Sequence, residues 1–412
     1  MKRSSIVRLY SLCLYLAKRL PPRRKHTSFK PSGRNVLIIL EMPGIGDAVL
    51  YLDALYNFTK YVNSSTGYNV YLAGNKFTLD FLKNISSTFN MDLIEIDLAS
   101  DDRYTLKGFS ENFKKLNFCN WDLVISFDPI TPYVNKLLVG LECRMIFLPL
   151  YRNFNRKKFK DIIYNKLLTN FLEIEVEYTH LLSIHKKVVI SVLNELFNYN
   201  GKDYSTYTIP EIHLNRYSLD SNYCVFSAGI AKGHANQYRC WGLKNFVSVI
   251  DYVVKNTSMT VLLCGDTNEM HNNNLIYEMV EDKTRIIDVT GKTNFAEWVE
   301  LLRNAQFVFG NDSGYIHLAV ALKTKAFVIS GFWNYGRFFP YQEVDDILCP
   351  VDIRVETPIC ALCNLHSDVS NERHNCEEMV KTLGIYKCVN DISCELAIDA
   401  IKLYLQKSKD VG

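Results

Sequence analysis

Short continuous apolar runs alternate with amphipathic stretches along most of the chain. Asn35–Leu40 (NVLIIL) is apolar at nearly every position, the pattern of a strand buried on both faces of a sheet. A glycine-containing loop follows, and Ala48–Val62 then reads as a helix. Asn69–Leu72, Leu93–Ile96, Leu123–Phe127 and Arg144–Leu148 predict further strands, and Phe159–Phe171 and Leu181–Phe197 predict helices. Asn198–Tyr217 is polar, contains Gly201 and Pro210, and reads as a linker. The series then restarts with strands at Tyr223–Ser227, Thr260–Cys264, Arg285–Val289, Phe307–Phe309 and Ala326–Ile329. Helices at Phe246–Lys255, Asn268–Glu281, Phe295–Arg303 and Tyr315–Leu322 lie between them, and an amphipathic Cys394–Lys407 closes the chain.

Alternation of strand and helix builds a parallel sheet covered by helices. Two such series predict an α/β protein of two doubly wound, Rossmann-like domains. The expected division is a segment 1–34, a first domain 35–205, a second domain 206–393, and a C-terminal helix 394–412 that packs back on the first domain. Ligands of open α/β sheets bind outside the carboxyl ends of the strands, so two such sheets would face a cleft lined by the loops that follow strands.

Composition narrows the class. The 412 residues exceed one ordinary core, and 48% hydrophobic with 22% charged residues is the balance of a globular protein. A net charge of +3 argues against a nucleic-acid partner, and the 25 Tyr and 23 Phe are spread along the chain without a stacking cassette. Seven of the 12 cysteines (Cys13, Cys119, Cys143, Cys224, Cys240, Cys264, Cys349) sit in apolar or strand-like stretches, as expected of reduced thiols in a cytoplasmic protein.

The first 34 residues carry Lys2, Arg3, Arg8, Lys18, Arg19, Arg23, Arg24, Lys25, Lys30 and Arg34 and no acid. Ser4, Arg8, Ser11, Tyr15 and Lys18 recur at helical spacing and would form one polar face, with Ile6, Val7, Leu9, Tyr10, Leu12, Leu14 and Leu16 supplying apolar surface. Such a helix can lie on an anionic membrane surface, here the inner face of the cytoplasmic membrane. A helix packed on the body and a basic tail are the competing readings. Arg8 interrupts the apolar run and no small-residue cleavage site follows, which argues against a secretory signal.

Four loops after strands carry candidate chemistry. In Glu41–Asp47 (EMPGIGD), Gly44 and Gly46 allow a tight turn and close backbone approach, and Asp47 opens a helix, either as its N-cap or as a base for an acceptor hydroxyl. A dinucleotide fingerprint is absent, because GxGxxG would require glycine at Val49. In Ser227–Trp241 (SAGIAKGHANQYRCW), Ser227, Ala228 and Gly229 are small, while Lys232, His234 and Arg239 either form a solvated basic loop, the better reading of this loop by itself, or supply cations suited to phosphate. In Cys264–Glu269 (CGDTNE), Asp266 or Glu269 can accept hydrogen bonds from a ribose or base. In Asn311–His317 (NDSGYIH), Asp312 and Ser313 can cap a helix, Gly314 removes bulk at its first turn, and His317 follows one turn later, a ready anion site.

Together these loops resemble glycosyltransferase family 9, the heptosyltransferase-like enzymes of bacterial lipopolysaccharide synthesis. Gly46–Asp47 matches the family's opening loop. Arg239 and Trp241 match its second-half loop, where Gly242 stands in place of the family's proline. Asn311, Asp312, Ser313, Gly314, His317, Leu318, Ala319, Ala321, Leu322 and Gly331 follow its most characteristic segment. The resemblance implies a GT-B fold with the acceptor on the first domain and a nucleotide-sugar donor on the second. It also implies an inverting displacement with no catalytic metal and no required cofactor, in which Asp47 deprotonates the acceptor hydroxyl. Ser227, Gly229, Arg239, Glu269, Asp312, Ser313, Gly314 and His317 would then hold the donor. The acceptor would be a glycolipid or cell-surface glycan.

Cys360 and Cys363 form a CxxC pair, with Cys376, Cys388, His366 and His374 further on, a spacing that can hold a structural zinc or simply belong to reduced thiols. Two other functions share the motifs: a nucleotide-sugar epimerase or hydrolase of the same fold, and a non-catalytic sugar-nucleotide-binding scaffold.

Overall fold

A computed structural model describes residues 35–410 except 42–43, 66, 86–88, 129–131, 152–170, 177–178, 213–221, 230–235, 333–334, 342–348, 356–379 and 383. The segment 1–34, the helix expected over 159–170, Lys232, His234, Cys360, Cys363, His366, His374 and Cys376 therefore lie outside the described residues. The chain divides into two units, Met1–Tyr207 and Thr208–Gly412.

The first unit contains β1 (Asn35–Ile39), β2 (Asn69–Gly74), β3 (Asp92–Glu95), β4 (Trp121–Ser126), β5 (Cys143–Tyr151) and β6 (Phe171–Val176). Its helices are α1 (Ile45–Leu50), α2 (Leu52–Ser65), α3 (Lys76–Ile85), α4 (Leu106–Leu116), α5 (Pro132–Gly140) and α6 (Leu181–Phe197). The six strands pair in parallel in the order β3-β2-β1-β4-β5-β6. β1 and β4 are central, which is why they are almost wholly buried and their middles, Val36–Ile39 and Leu123–Ile125, are continuously apolar.

Two elements differ from the sequence reading. The helix expected over Ala48–Val62 is two helices, α1 and α2, meeting at Tyr51, and it begins earlier, at Ile45. Phe171 is not the end of a helix but the first residue of β6. That strand's signal is plain in retrospect: Leu172, Ile174 and Val176 alternate with Glu173 and Glu175, and as the edge strand it buries Ile174 and Val176 while Glu175 is exposed.

The second unit contains β7 (Tyr223–Ser227), β8 (Thr260–Leu263), β9 (Ile286–Asp288), β10 (Val308–Asn311), β11 (Ala326–Ile329) and β12 (Val351–Ile353). Its helices are α7 (Leu243–Asn256), α8 (Met270–Met279), α9 (Phe295–Arg303), α10 (Gly314–Ala321), α11 (Lys387–Asn390) and α12 (Cys394–Asp410). The order β12-β11-β10-β7-β8-β9, again all parallel, repeats the arrangement of the first sheet. This is the Rossmann order 3-2-1-4-5-6, so the expected pair of Rossmann-like parallel sheets is what the chain forms. Local chemistry marks the boundaries. α9 opens with a reciprocal capping box between Asn294 and Glu297, and α6 ends at Asn198 in the left-handed region, φ 56°.

Each unit has its own core. In the second, Trp241, Phe246, Phe307, Phe309 and Phe327 are wholly or almost wholly buried between sheet and helices. Ala397 and Ile401 of α12 join that cluster, and Tyr404 donates to the Gln306 carbonyl at 2.9 Å. The face that α12 buries is thus taken up by the second unit, where the sequence reading set it against the first domain. The helix is amphipathic either way; only packing decides which sheet its apolar stripe covers. Where the first unit ends, Asp53 accepts from the Tyr207 N–H at 2.7 Å, and Asn57 exchanges hydrogen bonds with the Ser205 backbone at 2.7 and 2.9 Å.

Among the described residues Cys224 and Cys264 are buried free thiols, pushed well up from the usual thiol range by burial. Cys388, one of the four proposed zinc ligands, is buried in the core of the second unit. No described group of three or more His, Cys, Asp or Glu is placed to hold a metal, and no described helix is long and apolar enough to cross a membrane.

Candidate functional site

In a doubly wound sheet the chain leaves its central strands in opposite directions, and the loops at that switch point open a crevice. The switch point of the first sheet lies between β1 and β4, so its loops are those ending at Asp47 and beginning at Phe127. Gly44 is the N-cap of α1, with φ −90° and ψ 156° and no side-chain cap. Asp47 is the third residue of that helix, not its cap, where a carboxylate complements the positive helix end. Its Oδ2 lies 2.7 Å from the position a Cβ on Gly44 would take, so the carboxylate folds over bare backbone. Gly46 lies beside it within α1.

Two residues that the sequence reading passed over meet at this switch point, Asp128 on its second loop and His185 on α6. Asp128 is 3% exposed and follows β4, its turn fixed by the Ser126 hydroxyl donating to the Asp128 carbonyl at 2.7 Å. His185 of α6 is 1% exposed; its Nε2 is 3.3 Å from Asp128 Oδ1 and its Nδ1 is 3.0 Å from the Leu50 carbonyl oxygen at the end of α1. Tyr51 stacks on the imidazole with ring centroids 4.7 Å apart. An acid just past a central strand was available as a signal, the same one that singled out Asp47. Its partner is 57 residues away and could not be read from spacing.

The switch point of the second sheet lies between β7 and β10. Ser227 ends β7 fully buried, with no hydrogen-bond partner for its hydroxyl. Gly310 on β10 is opposite it, and a Cβ there would come within 2.6 Å of the Ser227 carbonyl oxygen, so glycine permits the two strands to approach. Asn311 then ties the loops together. Its side chain accepts from the Trp241 N–H at 3.1 Å and donates to the Ala228 carbonyl at 2.7 Å. Gly229 is thereby held at the carboxyl end of β7, and a Cβ on it would overlap the Glu269 carboxylate. That carboxylate also lies over Gly265, the first glycine after β8, where a Cβ would come within 2.4 Å of it, and it accepts from the Asp266 N–H at 2.7 Å. Burial pushes Glu269 up to about 7, with the neighbouring Asp266 charge adding to the rise and its N–H opposing it.

Arg239 ends a short 3-10 helix, Asn236–Arg239. It is close enough to the Cys240 thiol to favour the thiolate, while burial and Glu269 drive that thiol up to about 11. Ser227, Gly229 and Arg239 of one loop and Glu269 of the next thus converge at the carboxyl edge of the second sheet. Asp266 is exposed, and its carboxylate is turned to Asn268.

Asp312 is largely buried after β10, Ser313 is the N-cap of α10, and Gly314 begins that helix. The expected side-chain cap is not formed: the Ser313 hydroxyl is buried without a partner. His317 differs more. Only 3% exposed, it bonds Tyr341 through Nδ1 at 2.7 Å and stacks on Phe339 with centroids 4.9 Å apart. The helix geometry places it one turn in, as expected, but an aromatic pocket of residues 338–341 surrounds the ring.

Residues 187–356 match the family model described as glycosyltransferase family 9 (heptosyltransferase). No curated protein matches the chain by sequence. A glycosyltransferase family 9 structure from Veillonella parvula DSM 2008 is similar over 92% of this chain and 99% of its own, at 17% identity and a TM-score of 0.62. The E. coli ADP-heptose lps heptosyltransferase II is similar over 92% of this chain and 100% of its own, at 13% identity and a TM-score of 0.59. E. coli heptosyltransferase WaaC with ADP-2-deoxy-2-fluoro heptose is similar over 84% of this chain and 99% of its own, at 14% identity and a TM-score of 0.57. These structures share the fold, and the matched region contains every donor-side loop built above. Residues 187–356 thus carry the resemblance read from Asp312–His317, and the fold of the whole chain is that of the GT-B heptosyltransferases.

Proposed function

We propose that this protein is a glycosyltransferase that moves heptose or a related sugar from a nucleoside-diphosphate donor to a hydroxyl of lipopolysaccharide or another cell-surface glycan, by an inverting displacement without a metal. The observation that carries the reading is the place of Asp47: a carboxylate over bare backbone at the switch point of the first sheet. In the proposed step the Asp47 carboxylate takes the proton of the acceptor hydroxyl while its oxygen forms a bond to the anomeric carbon. The bond from that carbon to the diphosphate oxygen breaks on the opposite face. The nucleoside diphosphate leaves with the electron pair, and the anomeric configuration inverts.

The charge on the leaving group falls to Arg239 and to the first N–H groups of α10. Glu269, beside Gly229 and Gly265, suits a ribose, whose hydroxyls donate to a carboxylate. Solved heptosyltransferases carrying adenosine diphosphate compounds make that nucleotide the first to test. The basic amphipathic pattern of residues 1–34 supports work at an anionic membrane face.

The test is a thermal-shift series with ADP-, UDP-, GDP- and dTDP-sugars. The cognate donor at about a hundred times its Kd should stabilise the fold by roughly 2.7 kcal/mol. Free sugar or an epimer released without acceptor would move the reading to a hydrolase or epimerase. No stabilisation by any nucleoside diphosphate would move it to a scaffold.

A further inference from the structure

We infer that Asp128 and His185 form a buried positioning pair that holds the helix carrying Asp47 in its working orientation. The inference rests on the reading of Asp47 as the base, and it adds two residues that touch no reacting atom.

The helix in question, α1, has six residues and no side-chain cap at its start. A helix so short does not hold itself, because nucleation consumes most of what its few hydrogen bonds supply. Its direction is therefore set by the burial of Ala48, Val49 and Leu50 and by what grips its C-terminal end. Leu50 is three residues beyond Asp47, and its carbonyl is bonded by His185 Nδ1 at 3.0 Å. Tyr51, the next residue, stacks on the same ring. His185 in turn sits on α6, a 17-residue helix, and is fixed on its far side by Asp128 at the end of β4. Helix, strand end and α1 are thus pinned through one imidazole.

Both ring nitrogens of His185 are engaged. A carbonyl oxygen only accepts, so Nδ1 carries the hydrogen toward Leu50. Nε2 of a neutral ring would then present a lone pair to the carboxylate of Asp128, which also has only lone pairs. The 3.3 Å contact therefore requires one proton between them, on the ring or on the acid. Asp128 Oδ2 is buried without a hydrogen-bond partner, so the acid's bonding is concentrated on the His185 side. A buried pair of this kind adds little net stability over apolar side chains of similar volume. Packing alone does not account for it; orientation of α1 does.

The test compares the double variant His185→Leu/Asp128→Leu, which removes both buried polar groups, with Asp128→Asn. In Asp128→Asn the amide can donate to Nε2 of a neutral ring and leave the Nδ1–H bond to Leu50 intact. Hydrogen exchange of the Ala48 and Tyr51 amides, bonded to the Gly44 and Asp47 carbonyls, should rise ~10-fold or more in the double variant relative to amides in β1, and stay near wild type in Asp128→Asn. With ADP-heptose as donor, kcat should fall by about 10²-fold in the double variant, with the Kd for ADP unchanged and Asp128→Asn retaining activity. Unchanged exchange in α1 together with wild-type kcat in a folded double variant would overturn the pair's role. If the double variant does not fold, His185→Gln, which can still donate to Leu50, must keep α1 protected while His185→Ala loses that protection; equal protection in both overturns the inference. Full turnover by Asp47→Asn would instead overturn the reading of Asp47 and leave the exchange result standing.

Discussion

The Glu269 carboxylate occupies the space that a side chain on Gly229 would need. Two loops, one after β7 and one after β8, are fitted to each other through that absence. Gly229→Ala should force the carboxylate out or the loop back, at a cost of about 1–3 kcal/mol. Adding Glu269→Ala should return most of it. Urea unfolding of the two variants checks this; equal destabilisation in both would show that the glycine answers to something other than Glu269.

The pH dependence follows from the same carboxyl. Burial raises Glu269 from 4.5 to about 7, so the folded protein keeps a proton that the unfolded chain releases at lower pH. The stabilising contribution is therefore complete below pH ~4.5 and lost as pH rises through ~7, by on the order of 2 kcal/mol after allowance for partial solvation. Glu269→Gln should flatten stability across that window. Denaturant midpoints at several pH values in wild type and variant give the comparison.

Asp47→Asn preserves the shape of the side chain and removes its basicity. Transfer to acceptor should fall about 10²–10⁴-fold, the usual worth of a positioned general base. The thermal stabilisation given by the cognate nucleoside diphosphate should persist, because the donor-side residues all lie in the second unit. A variant that loses nucleotide binding as well would place Asp47 on the donor side instead.

Asn311 is fully buried and bonds the Trp241 N–H and the Ala228 carbonyl at once. Asn311→Ala leaves both backbone groups unpaired, which should cost roughly 2–4 kcal/mol. Asn311→Asp keeps an acceptor for Trp241 but opposes the Ala228 carbonyl with a second oxygen, and should be at least as damaging. Chemical denaturation measures both, and donor titration should show weaker binding because Gly229 and Arg239 lose a common anchor.

Asp47, Glu269 and Asp312–His317 were legible as loop residues after strands because each such loop announces itself locally, by an apolar run, a glycine and a polar cluster. The same local signals do not tell what each side chain packs against. Ser313 stands at the N-cap without capping, and His317 stands one turn into α10 but inside aromatic side chains from Phe338–Tyr341. α12 has an apolar stripe whose owner no periodicity can name.

By itself the sequence determined the two strand–helix series, the parallel sheets they build and the family whose spacing Asp312–His317 follows. Periodicity and turn chemistry are local, and each is written within a few residues. Only the tertiary structure decided that Asp128 meets His185, that Asn311 joins Ala228 to Trp241, and that Glu269 fills the place left by Gly229. Those relations join residues 40 to 83 positions apart. They follow from strand order, which sets side by side the loops that the chain writes far apart.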